Sequence, residues 1–296
     1  MGRNPTLHGL DRVSIRLSQA MATAQSIANL KEEVRDFWDS GPCGTRYLDE
    51  ADKFESHSNA RYAFEPYIQE FAEFASARGL RTLEVGVGMG ADYLRWLKAG
   101  AMATGVDLSP MSLEQARRRC QLAGYNPDLR VADAENLPFA DATFDLLYSY
   151  GVMHHSPNTE KCIREALRVL KPGGSLKIML YHHRSLTGAM LWLRYGLLRG
   201  SSLRSTVYEH LESPGTKTYT KDEVRAMLNG FEDVHIRQVF SPGDLLLHLP
   251  SPKFQSWFYR AVWKLYPRFL VRAFGKRWGL FLLIDATKPN LAPASS

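Results

Sequence analysis

Cysteine is scarce in this chain: only Cys43, Cys120 and Cys162 occur in 296 residues, and their spacing matches no metal-ligand pattern. A small, odd number excludes a disulfide-built secreted scaffold and leads us to expect a reducing, cytoplasmic compartment. Long apolar runs are also missing, since Arg194 interrupts Leu186 to Leu198, and the N-terminus lacks the apolar core of a signal peptide. No repeat or low-complexity tract is present, so the length accommodates one large α/β domain with insertions. Acidic residues are locally absent: none occurs from Ala166 to Tyr208 or from Lys253 to Ile284. The whole chain nevertheless balances 31 acids against 37 Lys and Arg, for a net charge of +6.

Glycine, by contrast, is concentrated where a turn needs it. Arg81 to Val85 has the apolar, β-branched character of a buried strand. Gly86, Gly88 and Gly90 follow, and Ala91 to Lys98 then has helical spacing, with Tyr93, Leu94 and Leu97 toward a core. Glycines here permit positive φ and close approach of backbone N–H groups to a ligand, and the helix N-terminus adds a favourable dipole. A second strand, Met102 to Val106, ends at Asp107, where a βαβ unit can present a carboxylate to ribose hydroxyls. The glycine spacing alone also fits a dinucleotide site, and Asp107 alone also fits a turn cap.

Three further segments narrow this choice. Val131 to Phe139 places Asp133 after a third strand, Phe144 to Ser149 reads as a fourth strand, and Ala166 to Gly174 ends a helix before a fifth. In order and spacing, the stretch from Arg81 to Tyr181 resembles the class I S-adenosylmethionine-dependent methyltransferases, particularly the small-molecule enzymes that methylate ubiquinone and menaquinone precursors. The resemblance implies a Rossmann-like, doubly wound, seven-stranded and mostly parallel sheet whose last strand is antiparallel. It implies S-adenosylmethionine as cofactor, S-adenosylhomocysteine as product, and no metal. Glu84, Gly86, Gly88 and Gly90 would surround the methionine end, Asp107 would hold the ribose, Asp133 the adenine amino group, and Leu108 and Ala134 would flank the ring.

Chemistry on the acceptor is expected where the fourth strand ends, because open α/β sheets bind ligands at the carboxyl edge. His154 and His155 are the candidate bases there; imidazole titrates near neutrality, although either ring can instead brace the loop. Tyr181 and His182 end the fifth strand beside them. Phe37, Trp38 and Arg46 are candidates for a lid, or for a packed N-terminal helix, while His210 and Tyr219 lie in a polar loop able to orient an acceptor. A helix is expected from near Lys31, another from Arg61 to Ala77, and one after the Thr220 cap over Lys221 to Leu228.

The expected organisation is a flexible tail over 1–30, a helical lid over 31–80, the cofactor-binding core over 81–183 and a cap insertion over 184–218. The core resumes over 219–240, a basic aromatic cap covers 241–278, and a final strand and tail fill 279–296. Within the second cap Arg260, Lys264, Arg268, Arg272 and Lys276 recur every four residues, with Trp257, Phe258, Leu265, Phe269 and Leu270 on the other face. Lys253 to Trp278 therefore either contacts a membrane peripherally or packs its apolar face on the core, and Pro267 should split the helix. Nucleic acid is not the expected partner, because no RNA-binding module accompanies the charge. The acceptor is expected to be a small, partly hydrophobic molecule methylated at oxygen or carbon. The alternatives are a noncatalytic cofactor-binding module at a membrane or partner, and a nicotinamide-dependent dehydrogenase, which the Asp133 segment disfavours. Oligomeric state is not encoded legibly.

Overall fold

The computed structural model describes residues 25–41, 53–213, 215–247, 263–275 and 277–290. Seven strands, β1 (Arg81–Val85), β2 (Met102–Asp107), β3 (Asp128–Val131), β4 (Phe144–Tyr150), β5 (Leu170–Tyr181), β6 (Glu232–Val239) and β7 (Phe281–Thr287), form one sheet in the order β3-β2-β1-β4-β5-β7-β6. The first five are parallel, and β7 runs antiparallel between β5 and β6. This is the doubly wound sheet expected from the strand–helix alternation.

Both sheet faces are covered, which explains why the central strands are nearly continuous apolar runs. Leu83, Val85, Leu147, Leu176 and Ile178 join one buried cluster. Tyr148 and Met179, one residue further along their strands, join the other with Phe71, Tyr93 and Trp96. That alternation is the two-residue period of a pleated strand. Each of these large side chains, when fully buried, contributes about 1.5–3 kcal/mol.

The helices are α1 (25–40), α2 (Lys53–Phe64), α3 (Tyr67–Ala72), α4 (Ala91–Ala99), α5 (Pro110–Leu122), α6 (Thr159–Val169), α7 (Leu186–Leu191), α8 (Leu203–His210), α9 (Lys221–Met227) and α10 (Arg268–Phe274). Local chemistry sets several starts. Ser109 caps α5, with Pro110 supplying the first helical residue, and Thr220 with Glu223 forms a capping box on α9.

Two expectations about the N-terminal region require correction. Helix α1 is already formed at residue 25, so 25–30 belong to it and not to a flexible tail; residues 1–24 lie outside the described residues. Nor is Arg61 to Ala77 one helix. Pro66 lacks the N–H that would continue α2, and Glu73, at φ 54°, ends α3 in the left-handed region before a 3-10 turn over Phe74–Ala77. Phe71 is buried as expected, and Tyr67 and Phe74 pack beside it.

The segments that follow β5 and β6 are joined by Asp244, which is wholly buried. Its carboxylate accepts from Thr187 N and Oγ1, both at 2.9 Å, from Ser241 N and Oγ at 2.9 Å, and from Leu280 N at 2.7 Å. Pro267 does separate α10 from the helical turn at 263–265. The faces of this segment differ from a core-packed amphipathic helix. Arg268 turns inward to the Leu245, Leu246 and Trp263 carbonyls at 2.9–3.0 Å, while Leu265 and Phe269 are 79% and 80% exposed. Trp257 and Phe258 lie outside the described residues.

Candidate functional site

The parallel strands bring Val85, Asp107, Val131, Tyr150 and Tyr181 to one edge of the sheet. The glycine turn after β1 has φ values of 81°, 53° and 74° at Gly86, Gly88 and Gly90. The three glycines do different work. A Cβ on Gly86 would meet Val152 Cγ2 at 2.1 Å, and one on Gly90 would meet Ala116 Cβ at 2.8 Å, whereas one on Gly88 would find nothing within 4 Å. The outer two permit close packing, and the middle one borders open space.

Asp107 faces this turn. Gly88 N donates to its Oδ2 at 2.8 Å and Ser109 N to its Oδ1 at 2.9 Å. Burial raises its pKa, and these N–H donors oppose that rise. Leu108 follows in a half-buried position. Along the same edge, Asp133 Oδ1 accepts from Glu135 N at 2.8 Å, and Ala134 is half-buried between them. Among the described residues no group of His, Cys, Asp or Glu could hold a metal ion.

Helix α1 lies across this edge. Lys31 Nζ sits 2.6 Å from Asp133 Oδ2 and 2.8 Å from Glu135 Oε2, and Ser109 Oγ donates a short bond to Asp39. About two turns on from Lys31, Trp38 places its ring edge-on to His155, with centroids 5.5 Å apart, and Phe37 packs edge-on to Trp38 at 5.0 Å. The helix thus touches Ser109 after β2, the carboxylates Asp133 and Glu135 after β3 and His155 after β4. Arg46 lies outside the described residues.

A buried polar network occupies the start of α4. Asp92 accepts from Arg61 Nε at 3.1 Å and Nη2 at 2.6 Å, from the Tyr62 hydroxyl at 2.8 Å and from the Tyr148 hydroxyl at 2.9 Å. Burial alone would raise the Asp92 pKa; the Arg61 charge and these hydrogen bonds outweigh it and hold the carboxyl below its ordinary range. Among the described residues, Glu84, 3% exposed, has no hydrogen-bond partner for Oε2. Burial and the nearby Asp92 charge push its pKa well up.

The surroundings of the histidines after β4 are aromatic. The Tyr181 ring lies 3.8 Å from His154, 6.0 Å from His155 and 5.4 Å, stacked, from Phe281. His154 is fully buried, and burial depresses its pKa well below the ordinary imidazole value. His155 Nδ1 is fixed by Ser213 Oγ at 2.7 Å and Thr216 Oγ1 at 3.1 Å, and burial with the nearby Lys217 charge takes its pKa down to about 3. Both rings are therefore neutral at physiological pH, and the expectation of a near-neutral imidazole does not describe them. Tyr219 joins the group through its backbone bond to Tyr181 O at 2.8 Å, its hydroxyl donating to Thr159 Oγ1 at 2.8 Å. His182 Nδ1 is 2.8 Å from both Arg184 O and Gln238 Nε2, and His210 instead packs on Tyr195 at 4.5 Å.

Sequence reasoning missed two carboxylates here. The Tyr181 hydroxyl donates to Glu212 Oε2 at 2.7 Å, and that oxygen is 3.5 Å from His155 Nε2. Glu65, in the Pro66 break between α2 and α3, is pushed up to about pKa 7, mainly by burial and further by the charges of Asp92 and Glu212. Isolated charged residues such as these, like Lys31 and Asp244, carry no motif; only Asp92, directly after the glycine turn, had a positional signal.

The model of the family described as a methyltransferase domain matches residues 83–178. The demethylmenaquinone methyltransferase of Tropheryma whipplei strain Twist is 34% identical over 178 residues, spanning 57% of this chain and 73% of that protein. Among solved structures, a chain of the complex between the Haloferax volcanii Trm112 methyltransferase activator and a methyltransferase matches with a TM-score of 0.59 at 17% identity, covering 88% of this chain and 99% of that one. The Haemonchus contortus phosphoethanolamine N-methyltransferase 2, solved with phosphomonomethylethanolamine and S-adenosylhomocysteine, gives 0.57 at 19% identity, covering 87% of this chain and 61% of that one. At such identities the structural likeness carries the fold alone.

Proposed function

This chain belongs to the class I S-adenosylmethionine-dependent methyltransferases, enzymes acting on small molecules, and from that premise we propose how its own residues divide the work. The observation that carries the reading is the open space at Gly88 beside Asp107, a cradle that any Cβ would begin to fill. Its neighbours suit S-adenosylmethionine: Asp107 to hold ribose hydroxyls, Asp133 to accept from the adenine amino group, Leu108 and Ala134 to flank the ring, and Glu84 with the turn backbone to surround the amino-acid end. When bound, the cofactor supplies a methyl group already activated on a sulfonium.

The protein's task is then orientation and exclusion of water. Helix α1 closes the edge, with Lys31 and Asp39 as its fastenings and Trp38 over the acceptor end. Tyr181, His155 and Tyr219 form an aromatic and polar wall against a partly hydrophobic acceptor. His154 and His155, buried and neutral, brace this wall and orient hydrogen bonds; their depressed pKa values suit that role better than general-base catalysis. Acceptor-dependent release of S-adenosylhomocysteine tests the reading. A chain that binds cofactor yet releases none with any acceptor would be the noncatalytic module instead.

A peripheral membrane contact is favoured by a separate observation. Leu198, Leu265 and Phe269 are 96%, 79% and 80% exposed, all within the two acid-free stretches. No helix among the described residues is long and apolar enough to cross a membrane. Co-sedimentation with phosphatidylglycerol vesicles but not with phosphatidylcholine vesicles is the expected result, and Phe269→Glu should abolish it; equal sedimentation with both, or with neither, argues against a basic lipid-facing surface.

A further inference from the structure

Glu135 follows Asp133 by two residues and is the more deeply buried of the two, at 3% exposed. Its carboxylate gathers donors from two other elements. Oε1 accepts from Ser156 Oγ at 2.5 Å and from Asn158 N at 2.8 Å, in the turn between His155 and α6. Oε2 lies 2.8 Å from Lys31 Nζ on α1. The other cation whose charge Glu135 feels, Lys217, donates instead to Ser156 O at 2.5 Å. The backbone N of Glu135 donates to Asp133 Oδ1 at 2.8 Å, which leaves Asp133 Oδ2 for other donors, and Lys31 Nζ is 2.6 Å from that oxygen. One ammonium is therefore divided between two carboxylates.

That division matters because Asp133 Oδ2 is the oxygen the adenine amino group would use. A carboxylate oxygen has room for two donors, and the Asp133 side chain is 32% exposed, so a ligand can reach it. An ammonium given wholly to Asp133 would compete with the amino group for Oδ2; one shared with Glu135 competes less. Building on the methyltransferase reading, we propose that Glu135 is a positioning residue for cofactor selection. Its N–H fixes Asp133, and its carboxylate holds part of the Lys31 ammonium, so that Asp133 Oδ2 stays available to adenine and selects it over a base with a carbonyl at the same position. Ser156 and Asn158 hold the carboxylate where this sharing requires it, which ties the base-reading end of the site to the loop carrying His155.

The test is calorimetric titration of the full chain with S-adenosylhomocysteine and with S-inosylhomocysteine, whose base carries a carbonyl oxygen in place of the amino group. The wild type should favour the adenine compound by at least about tenfold. Glu135→Gln keeps an oxygen for Ser156 and Asn158 but turns an N–H toward Lys31, so the ammonium falls to Asp133 alone and the preference should shrink to within about threefold. Adding Lys31→Met removes the competitor and should return most of the preference, a recovery that a merely structural role for Glu135 would not produce. A further measurement needs no Glu135 variant. The Lys31 ammonium signal in proton–nitrogen correlation spectra, identified by its absence from Lys31→Met, should persist at saturation with S-adenosylhomocysteine. The inference is overturned if the wild type shows no preference, if Glu135→Gln retains it, if the double variant fails to regain it, or if the Lys31 signal vanishes on saturation. A wild-type chain that binds neither S-adenosylmethionine nor S-adenosylhomocysteine defeats the underlying methyltransferase reading, a distinct result from cofactor binding without base preference.

Discussion

Lys31, on the N-terminal helix, reaches 102 residues along the chain to place its ammonium 2.6 Å from the Asp133 carboxylate, and Glu135 Oε2 shares it at 2.8 Å. Helix α1 and the floor of the proposed cofactor site are therefore joined by charge. Lys31 is partly exposed, so each pair contributes at most about 1 kcal/mol. Lys31→Met should accelerate release of S-adenosylmethionine by roughly fivefold, because the closed position of α1 loses its fastening. Stopped-flow displacement measures this directly; an unchanged rate would mean that α1 is a fixed wall and not a lid.

The glycine turn predicts two different failures from two similar substitutions. Gly86→Ala forces a Cβ into Val152 at 2.1 Å in a left-handed backbone, so it should lower the melting temperature. The Cβ of Gly88→Val meets no atom within 4 Å, so apart from the strain of a β-branched residue at φ 53° the substitution spares the packing around it, while reducing S-adenosylmethionine affinity at least about tenfold. Melting curves paired with titrations separate these outcomes, and a Gly88→Val variant with normal affinity would remove the turn from the site.

Asp92 should be a stability residue. It is 4% exposed and binds Arg61 through two hydrogen bonds, so Asp92→Asn, which strands the guanidinium, should cost about 3 kcal/mol in urea unfolding. Adding Arg61→Met should recover part of that loss. The folded pKa of Asp92 is depressed, so its contribution is present above the ordinary carboxylate range and disappears as pH falls through the depressed value. The gap between wild type and Asp92→Asn should accordingly narrow below about pH 4.

Glu65 has the opposite sign. Its pKa is raised in the fold to about 7, chiefly by burial, so the folded state binds more protons than the unfolded chain between the ordinary glutamate value and neutrality. Stability should fall as pH rises through that window. Glu65→Gln should flatten this slope; the same slope in both proteins would assign the titration elsewhere.

Much of this fold was legible because the signals were local and repeated. Strand β1, the glycine turn and α4 carry a buried run, three permissive glycines and a 3.6-residue period in one continuous stretch. The Thr220 cap was legible for the same reason. Pro66 was visible in the sequence and still underweighted against the apolar spacing of Arg61 to Ala77, so two helices and a turn were read as one. Lys31, Glu65, Glu212 and Asp244 were not legible at all. Each is a single charged residue whose meaning comes from partners brought near by the fold. Likewise His154 and His155 were found by position, but their neutrality follows from burial that a sequence does not display.

The most direct test of the central claim is calorimetric titration of the purified chain with S-adenosylmethionine, S-adenosylhomocysteine and NADH, repeated on Asp107→Ala. The account predicts that the wild type binds the first two and not NADH, with at least about a tenfold loss of affinity in the variant as ribose bonds disappear. Binding of NADH alone, or unchanged affinity in a folded Asp107→Ala variant, would contradict it.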